Sequence, residues 1–256
     1  MMNMNGKKIA MVVAPLIIAL LSIFVVTRFA ASPEFHAKTI QSLDDKRTTV
    51  MELAAASAAT SAAITLIPGD TATPIAEKLA DMSSYFLIVI CAIYLEKYLL
   101  TITGYAAFMF LIPIACALYS ANVFLQKDLW KNIIRKLIFF GFAIVLVVPA
   151  SVKLSDLIEE TYNSSIQTTI DQAKDTTDEI KENAEDEGFL EGFWNKITDG
   201  VSSIAAKVEN SLNNFIEAIA VMIVTSCLIP ILVLFFFIWL VKIVLGLNVE
   251  LPRKKV

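Results

Sequence analysis

Few side chains in this sequence have the type and spacing that chemistry requires. His36 is the single histidine, which excludes multi-histidine metal sites and undercuts every histidine-dependent hydrolase scheme. Cys91, Cys116 and Cys227 stand far apart inside apolar runs, without CxxC spacing. They read as small buried hydrophobes rather than redox groups or metal ligands. Gly200-Val201-Ser202 does not continue to a second glycine, so it forms no nucleophile elbow. Phosphate-cradling glycine loops and the HExxH pair are missing from the sequence, as is the Asp-rich pattern of a calcium loop. We therefore expect no catalytic residue, cofactor or metal site, and no small-molecule substrate is identifiable.

Two kinds of residue remain as candidates. Glu96 and Lys97 interrupt an apolar stretch. Ionisable groups at membrane depth are costly, and they line polar paths or pair with other charges. Being adjacent, the two point in different directions on a helix, so they do not satisfy each other. They are candidate intramembrane polar residues, or mark a helix end among headgroups. Pro113 and Pro230 sit in the middle of apolar runs, where a proline removes an amide and can kink a helix.

The elements carrying these residues are too apolar for a soluble domain. Of 256 residues, 57% are hydrophobic, and the mean hydropathy of +0.67 comes from long runs rather than scattered core positions. That excludes a disulfide scaffold, a disordered tail and a cytosolic dinucleotide-binding enzyme, and implies an all-α, polytopic membrane helical bundle. Residues 1–31 hold a basic N-terminus and a first span, Ile9 to Ala31, which is longer than the apolar core of a typical secretory signal. Residues 32–83 read as mostly extracytoplasmic helix, with 50–67 rich in Ala, Ser and Thr and able to serve as an extra span. Residues 84–125 comprise an apolar helix or re-entrant segment followed by a span. A basic loop (126–136), a span (137–153), an acidic block (154–215), a last span (216–247) and a basic tail (248–256) complete the chain.

Charge orients these pieces. Residues 154–214 carry 14 acidic and 4 basic side chains, whereas the remaining chain carries 11 and 17, so a formal net of −4 divides into −10 and +6. Lys/Arg clusters favour the cytoplasmic side, and long acidic loops are translocated. Both termini and the 126–136 loop are then cytoplasmic, in the cell membrane or a bacterial inner membrane, and the acidic block is extracytoplasmic. With both termini inside, four or six crossings satisfy the rule. The short 85–95 run favours four, because 10–14 apolar residues suit a buried or re-entrant helix better than a span.

Within the acidic block, Leu154, Leu157, Ile158, Tyr162, Ile166, Ile170, Ala173, Ile180 and Ala184 recur mostly three or four residues apart, as do Ile197, Val201, Ile204, Val208, Leu212, Phe215 and Ile219. Gly188 and Gly192 bracket a turn between them. The pattern predicts an extracytoplasmic antiparallel helical hairpin of coiled-coil type, each stripe covering the other. Phe189, Leu190, Phe193 and Trp194 at its tip either cap that core or form a docking patch. The expected function is that of a non-enzymatic, self-associating assembly or scaffold subunit of an envelope complex. An oligomeric channel or transporter is the alternative. The expected partners are the lipid bilayer, further copies or other membrane and envelope proteins, and not nucleic acid.

Overall fold

A long apolar run leaves the backbone one solution in hydrocarbon, the helix, because no water is present to satisfy exposed amides and carbonyls. The computed structural model describes residues 6–66, 73–185 and 201–244, and among them every element is helical and no strand occurs. Helix α1 (Gly6–Leu21) passes through a π-helical turn (Ser22–Val26) into α2 (Thr27–Ala30). Helix α3 spans Ala37–Ile64. Helix α4 (Thr73–Ala106) continues through a second π turn (Ala107–Leu111) into α5 (Ile112–Leu125). Helix α6 is Asp128–Glu185, and α7 (Val201–Ile223) leads through a third π turn (Val224–Leu228) into α8 (Ile229–Val244).

The breaks between helices have local causes. After Ala30, Ser32 donates to the Phe29 carbonyl (2.8 Å) and accepts from the Phe35 amide (3.3 Å), folding the chain around Pro33. His36, buried, closes that turn through Nε2, 2.8 Å from the Ala30 carbonyl; a carbonyl only accepts, so Nε2 carries a proton. Helix α5 ends where Gln126 turns left-handed (φ 50°) and its amide returns to the Asn122 carbonyl. Asp128 then opens α6 at the end where helix dipoles favour an acid, and a hydrogen bond from Lys131, reinforced by its charge, holds the Asp128 carboxyl below its ordinary range.

Among the described residues, four helices are long and apolar enough to cross a membrane: Ile9–Ala30, Thr73–Leu125, Trp130–Glu182 and Glu209–Leu240. Helix α3 is not among them, since its first turns carry Asp44, Asp45, Lys46 and Arg47. The structure also replaces the re-entrant reading of 84–125. Residues 73–125 run as helix without a reversal, because nothing between Tyr85 and Thr103 supplies turn chemistry. The Thr73–Leu125 stretch is 53 residues, well over the ~20 a crossing requires, so only part of it need lie in hydrocarbon.

The chain divides into two compact units. In the first (residues 1–41, 96–153 and 230–256), α1 and α2 pack antiparallel to the α4–α5 stretch. Ser120 Oγ donates to the Val12 carbonyl at 3.2 Å and Ser22 Oγ to the Phe108 carbonyl at 2.7 Å. Gly104 permits a close approach: a Cβ there would stand 2.6 Å from the Ala30 carbonyl oxygen. Outward from this unit project Ile17, Leu20, Phe24, Phe235 and Trp239, each more than half exposed, the surface that lipid would cover.

The second unit (residues 42–95 and 154–229) is a four-helix bundle. Along α3 the buried positions are Leu43, Lys46, Val50, Leu53, Ala56, Ser57, Thr60, Ser61, Ala63 and Ile64, a stripe that recurs every three or four residues and widens where the side chains become small. Ser57 and Ser61 of α3 donate to the Leu79 and Ala76 carbonyls of α4, so those helices are antiparallel. Thr60 reaches the Ala173 carbonyl and Thr177 of α6, and Ser42 reaches Asp156, so α3 and α6 are parallel. Asn214 to Gln172 (2.6 Å) and Ser165 to Glu217 (3.2 Å) set α6 and α7 antiparallel. The two arms of the acidic block are thus antiparallel neighbours, but they are not each other's only cover. Helices α3 and α4 complete the bundle, and Phe86 of α4 meets Phe215 of α7 with centroids 6.5 Å apart. The Ala/Ser/Thr-rich stretch of α3 is a packing helix of this bundle, where small hydroxyl-bearing residues allow close contact.

Substituting Gly104 by valine is expected to force α2 and α4 apart, because the obstructing atom is backbone and cannot rotate away. Strain of this kind costs about 1–3 kcal/mol. Thermal unfolding of the purified protein in detergent should show a lowered midpoint for Gly104→Val and an unchanged one for Ala58→Val on the exposed face of α3.

Candidate functional site

The second unit has a layer in which the usual polarity is reversed. Outward from α4 project Tyr85, Leu87, Ile88, Cys91 and Leu95; from α6, Leu154 and Leu157; from α7 and its π turn, Ile223, Val224 and Leu228. Facing inward at the same level are Lys46, Ser155, Glu159, Thr225 and Ser226. Cys91 is therefore exposed on an apolar face, not buried as its sequence context implies. Leu154, Leu157 and Tyr162 likewise face outward, whereas Ile166, Ile170, Ala173 and Ile180 keep to the core.

Lys46 is 4% exposed, and its ammonium lies 2.8 Å from Glu159 Oε1. The same carboxylate oxygen accepts the Thr225 hydroxyl at 2.7 Å. Three elements (α3, α6 and the third π turn) are thus joined at one oxygen. Beside it opens a polar cleft of about 300 Å³ between α3 and α6, lined by Ser42, Asp45, Thr49, Asp156, Glu160 and Asn163 among others. Ser42 holds Asp156 at 2.6 Å. On the adjoining α3–α4 seam, Arg47 donates to the Tyr94 hydroxyl at 3.2 Å and pairs with Asp44 at 3.6 Å.

Pro113 and Pro230 prove to be more than candidate kinks: each is the second residue after a π turn, and the two turns share one hydrogen-bonding problem. The Ile112 amide bonds back five residues to Ala107, and the Ile229 amide likewise to Val224. The next residue in each case is proline, which has no N–H. The Phe108 and Thr225 carbonyls therefore find no amide four or five residues ahead. Each is met by a serine of another helix: Ser22 Oγ donates to Phe108 at 2.7 Å, and Ser155 Oγ to Thr225 at 2.6 Å. Widening to a π turn and borrowing a hydroxyl let the helix continue past the proline. Pro15 and Pro149 lie inside α1 and α6, which remain α-helical around them.

Of the other candidates, Glu96 is buried at 5% exposure and Lys97 half-buried, as expected for neighbours pointing apart. Ser151 of α6 donates to Glu96 Oε1 at 3.4 Å and to the Val148 carbonyl at 2.8 Å, so Glu96 lies against α6. Phe189, Leu190, Phe193 and Trp194, and the Gly188–Gly192 turn, lie outside the described residues. Sequence reasoning missed the Lys46–Glu159 pair altogether. The available signal was the register of α3: Lys46 continues the spacing of Leu43, Val50 and Leu53, a lysine at a core position. No group of three or more His, Cys, Asp or Glu able to hold a metal occurs among the described residues.

Two substitutions test this network. Lys46→Met should destabilise the protein by leaving a part-buried carboxylate uncompensated, by less than the ~3–5 kcal/mol of a fully buried pair, whereas Lys46→Met with Glu159→Met should recover most of that loss. Ser155→Ala should cost about 1–3 kcal/mol in the native background and much less beside Pro230→Ala, which restores an amide. Denaturant titration in mixed micelles reads both, and equal Ser155→Ala penalties in the two backgrounds would refute the carbonyl account. No family model matches the chain, and neither the curated proteins nor the solved structures include a significantly similar one.

Proposed function

We propose that this chain is a non-enzymatic integral membrane protein acting as a self-associating assembly or scaffold subunit of an envelope complex. In this reading both termini are cytoplasmic and the acidic bundle is presented on the opposite side. The observation that carries it is an asymmetry of the second unit. At the level of the Lys46–Glu159 pair, α4, α7 and one side of α6 turn apolar side chains outward, while α3 turns out Asp45 and Thr48, with Asp44 and Arg47 half-buried beside them, and the side of α6 next to α3 turns out Glu160 and Asn163. Lipid suits the apolar faces and not the α3–α6 edge, which calls for protein or water. A second copy applied along α3 satisfies that edge. The core of the bundle is filled by Leu43, Leu53, Phe86, Ile170, Phe215 and Met222, all fully buried, which supports a rigid post. Beyond the apolar layer, α6 exposes Asp171, Asp175, Asp178 and Glu182, a charged face suited to basic partners.

An oligomeric channel or transporter is the second reading, favoured by the polar cleft that opens on the same α3–α6 edge. In an assembly closed along α3, such clefts would line a shared polar path. Light scattering of the full chain in detergent should give a mass of at least two copies, and Thr48→Cys should form a disulfide between copies in membranes. A monomer without that crosslink refutes self-association through α3. Ion flux in proteoliposomes that falls with Glu159→Gln selects the channel reading, and tight vesicles select the scaffold.

A further inference from the structure

We infer that the first unit holds one anionic phospholipid in a groove between α1, α5 and α6, its acyl chain in an apolar trough and its phosphate on two basic side chains. The trough has a volume of about 480 Å³ and is lined almost wholly by apolar atoms, with Ala10 and Ala14 of α1 and Ala115 of α5 on its walls. Small residues on two facing helices leave the space that larger ones would fill. A second cavity of about 320 Å³ shares Tyr119, Ile134 and Ile138 with the first and continues to Lys131 and Arg135 of α6. Both volumes fall in the range of small-molecule pockets, roughly 300–1,000 Å³. An apolar channel leading to two cations and a phenol matches the chemistry of an acyl chain leading to a phosphodiester.

Three features fix the occupant as a lipid rather than a protein segment. The walls belong to stretches apolar enough to cross a membrane, and the rims, Met11, Ile18 and Phe139, are two-fifths to one-half exposed, so the groove opens toward hydrocarbon. The cations stand together at one end of the groove, in the first turns of α6, where a chain leaving the trough would place its headgroup. Their present partners are exchangeable: Lys131 pairs with exposed Asp128 and Arg135 donates to exposed Asn132, contacts that water and salt weaken. A phosphate is a better partner for the guanidinium, which presents parallel donors. Basic pockets between membrane helices recognise anionic headgroups by this same electrostatics.

Native mass spectrometry of the full chain, offered phosphatidylglycerol or phosphatidylcholine, tests the inference. The native protein should retain phosphatidylglycerol preferentially. Lys131→Gln with Arg135→Gln should lower that affinity by up to about 30-fold, taking about 1 kcal/mol per basic residue, and leave phosphatidylcholine unaffected. Ala14→Phe, which fills the trough, should weaken both lipids; Ile138→Trp narrows it from the rim and serves if Ala14→Phe does not insert. Lys38→Gln with Lys153→Gln, exposed positions of the same unit, should change neither. Equal affinity for the two lipids, or a preference that survives loss of both cations, overturns the inference. Displacement of the lipid by inorganic phosphate alone also overturns it, since that would make the site a simple anion site with no role for the trough.

Discussion

A backbone carbonyl inside an apolar helix has no water to turn to, and leaving it without a donor costs several kcal/mol in hydrocarbon. Pro113 and Pro230 each create that problem in the middle of a long apolar run, and the structure answers it twice in the same way. The helix widens by one residue, and a serine hydroxyl from another helix closes the remaining carbonyl. Because the carbonyl occupies one fixed height, the serine that meets it fixes the register of a helix pair. Ser22 does so for the first span against α4–α5, and Ser155 for α6 against the third π turn. Sliding either pair by a turn would strand both groups.

That register brings the other close contacts into place. In the first unit the antiparallel descent from Ser120–Val12 to Ser22–Phe108 ends with Ala30 against Gly104, where only a residue without a Cβ fits. In the second unit Ser155 and Glu159 lie one turn apart on α6, so the helix face that closes the Thr225 carbonyl also presents a carboxylate to the Thr225 hydroxyl and to Lys46. A buried pair of this kind adds little net stability, since desolvation offsets its attraction, but it penalises every register that separates the charges. The hydroxyl-rich interior has the same logic. Ser57, Ser61 and Thr60 bond carbonyls of neighbouring helices and allow them to approach closely, at the cost of tolerating few alternatives.

Much of this was legible in the residues. The apolar runs, the helical class, the first span and the antiparallel arms of the acidic block all follow from periodicity, because hydrophobic spacing of three and four residues has one structural meaning over long stretches. The sequence also located the prolines and the Glu96–Lys97 pair. For the short 85–95 run it allows an apolar helix or a re-entrant segment, and the helix continues through it. It leaves α3 as a mostly extracytoplasmic helix or an extra span. That helix looks weakly lipophilic by composition, and composition does not report that Ser57 and Ser61 bond α4 while Thr60 bonds α6.

The chain by itself therefore determined which segments are helical and which of them are long and apolar enough to cross a bilayer, since both are local consequences of side-chain type and backbone hydrogen bonding. Tertiary structure alone decided which face of each helix is inside. Leu157 and Glu159 are two residues apart, and by hydrophobicity the leucine belongs in the core and the glutamate at the surface. The bundle places them the other way round, because Lys46 and Thr225 arrive from separate elements to satisfy the carboxylate. Partners brought together from positions more than sixty residues apart in sequence leave no local trace of which side chain they will bury.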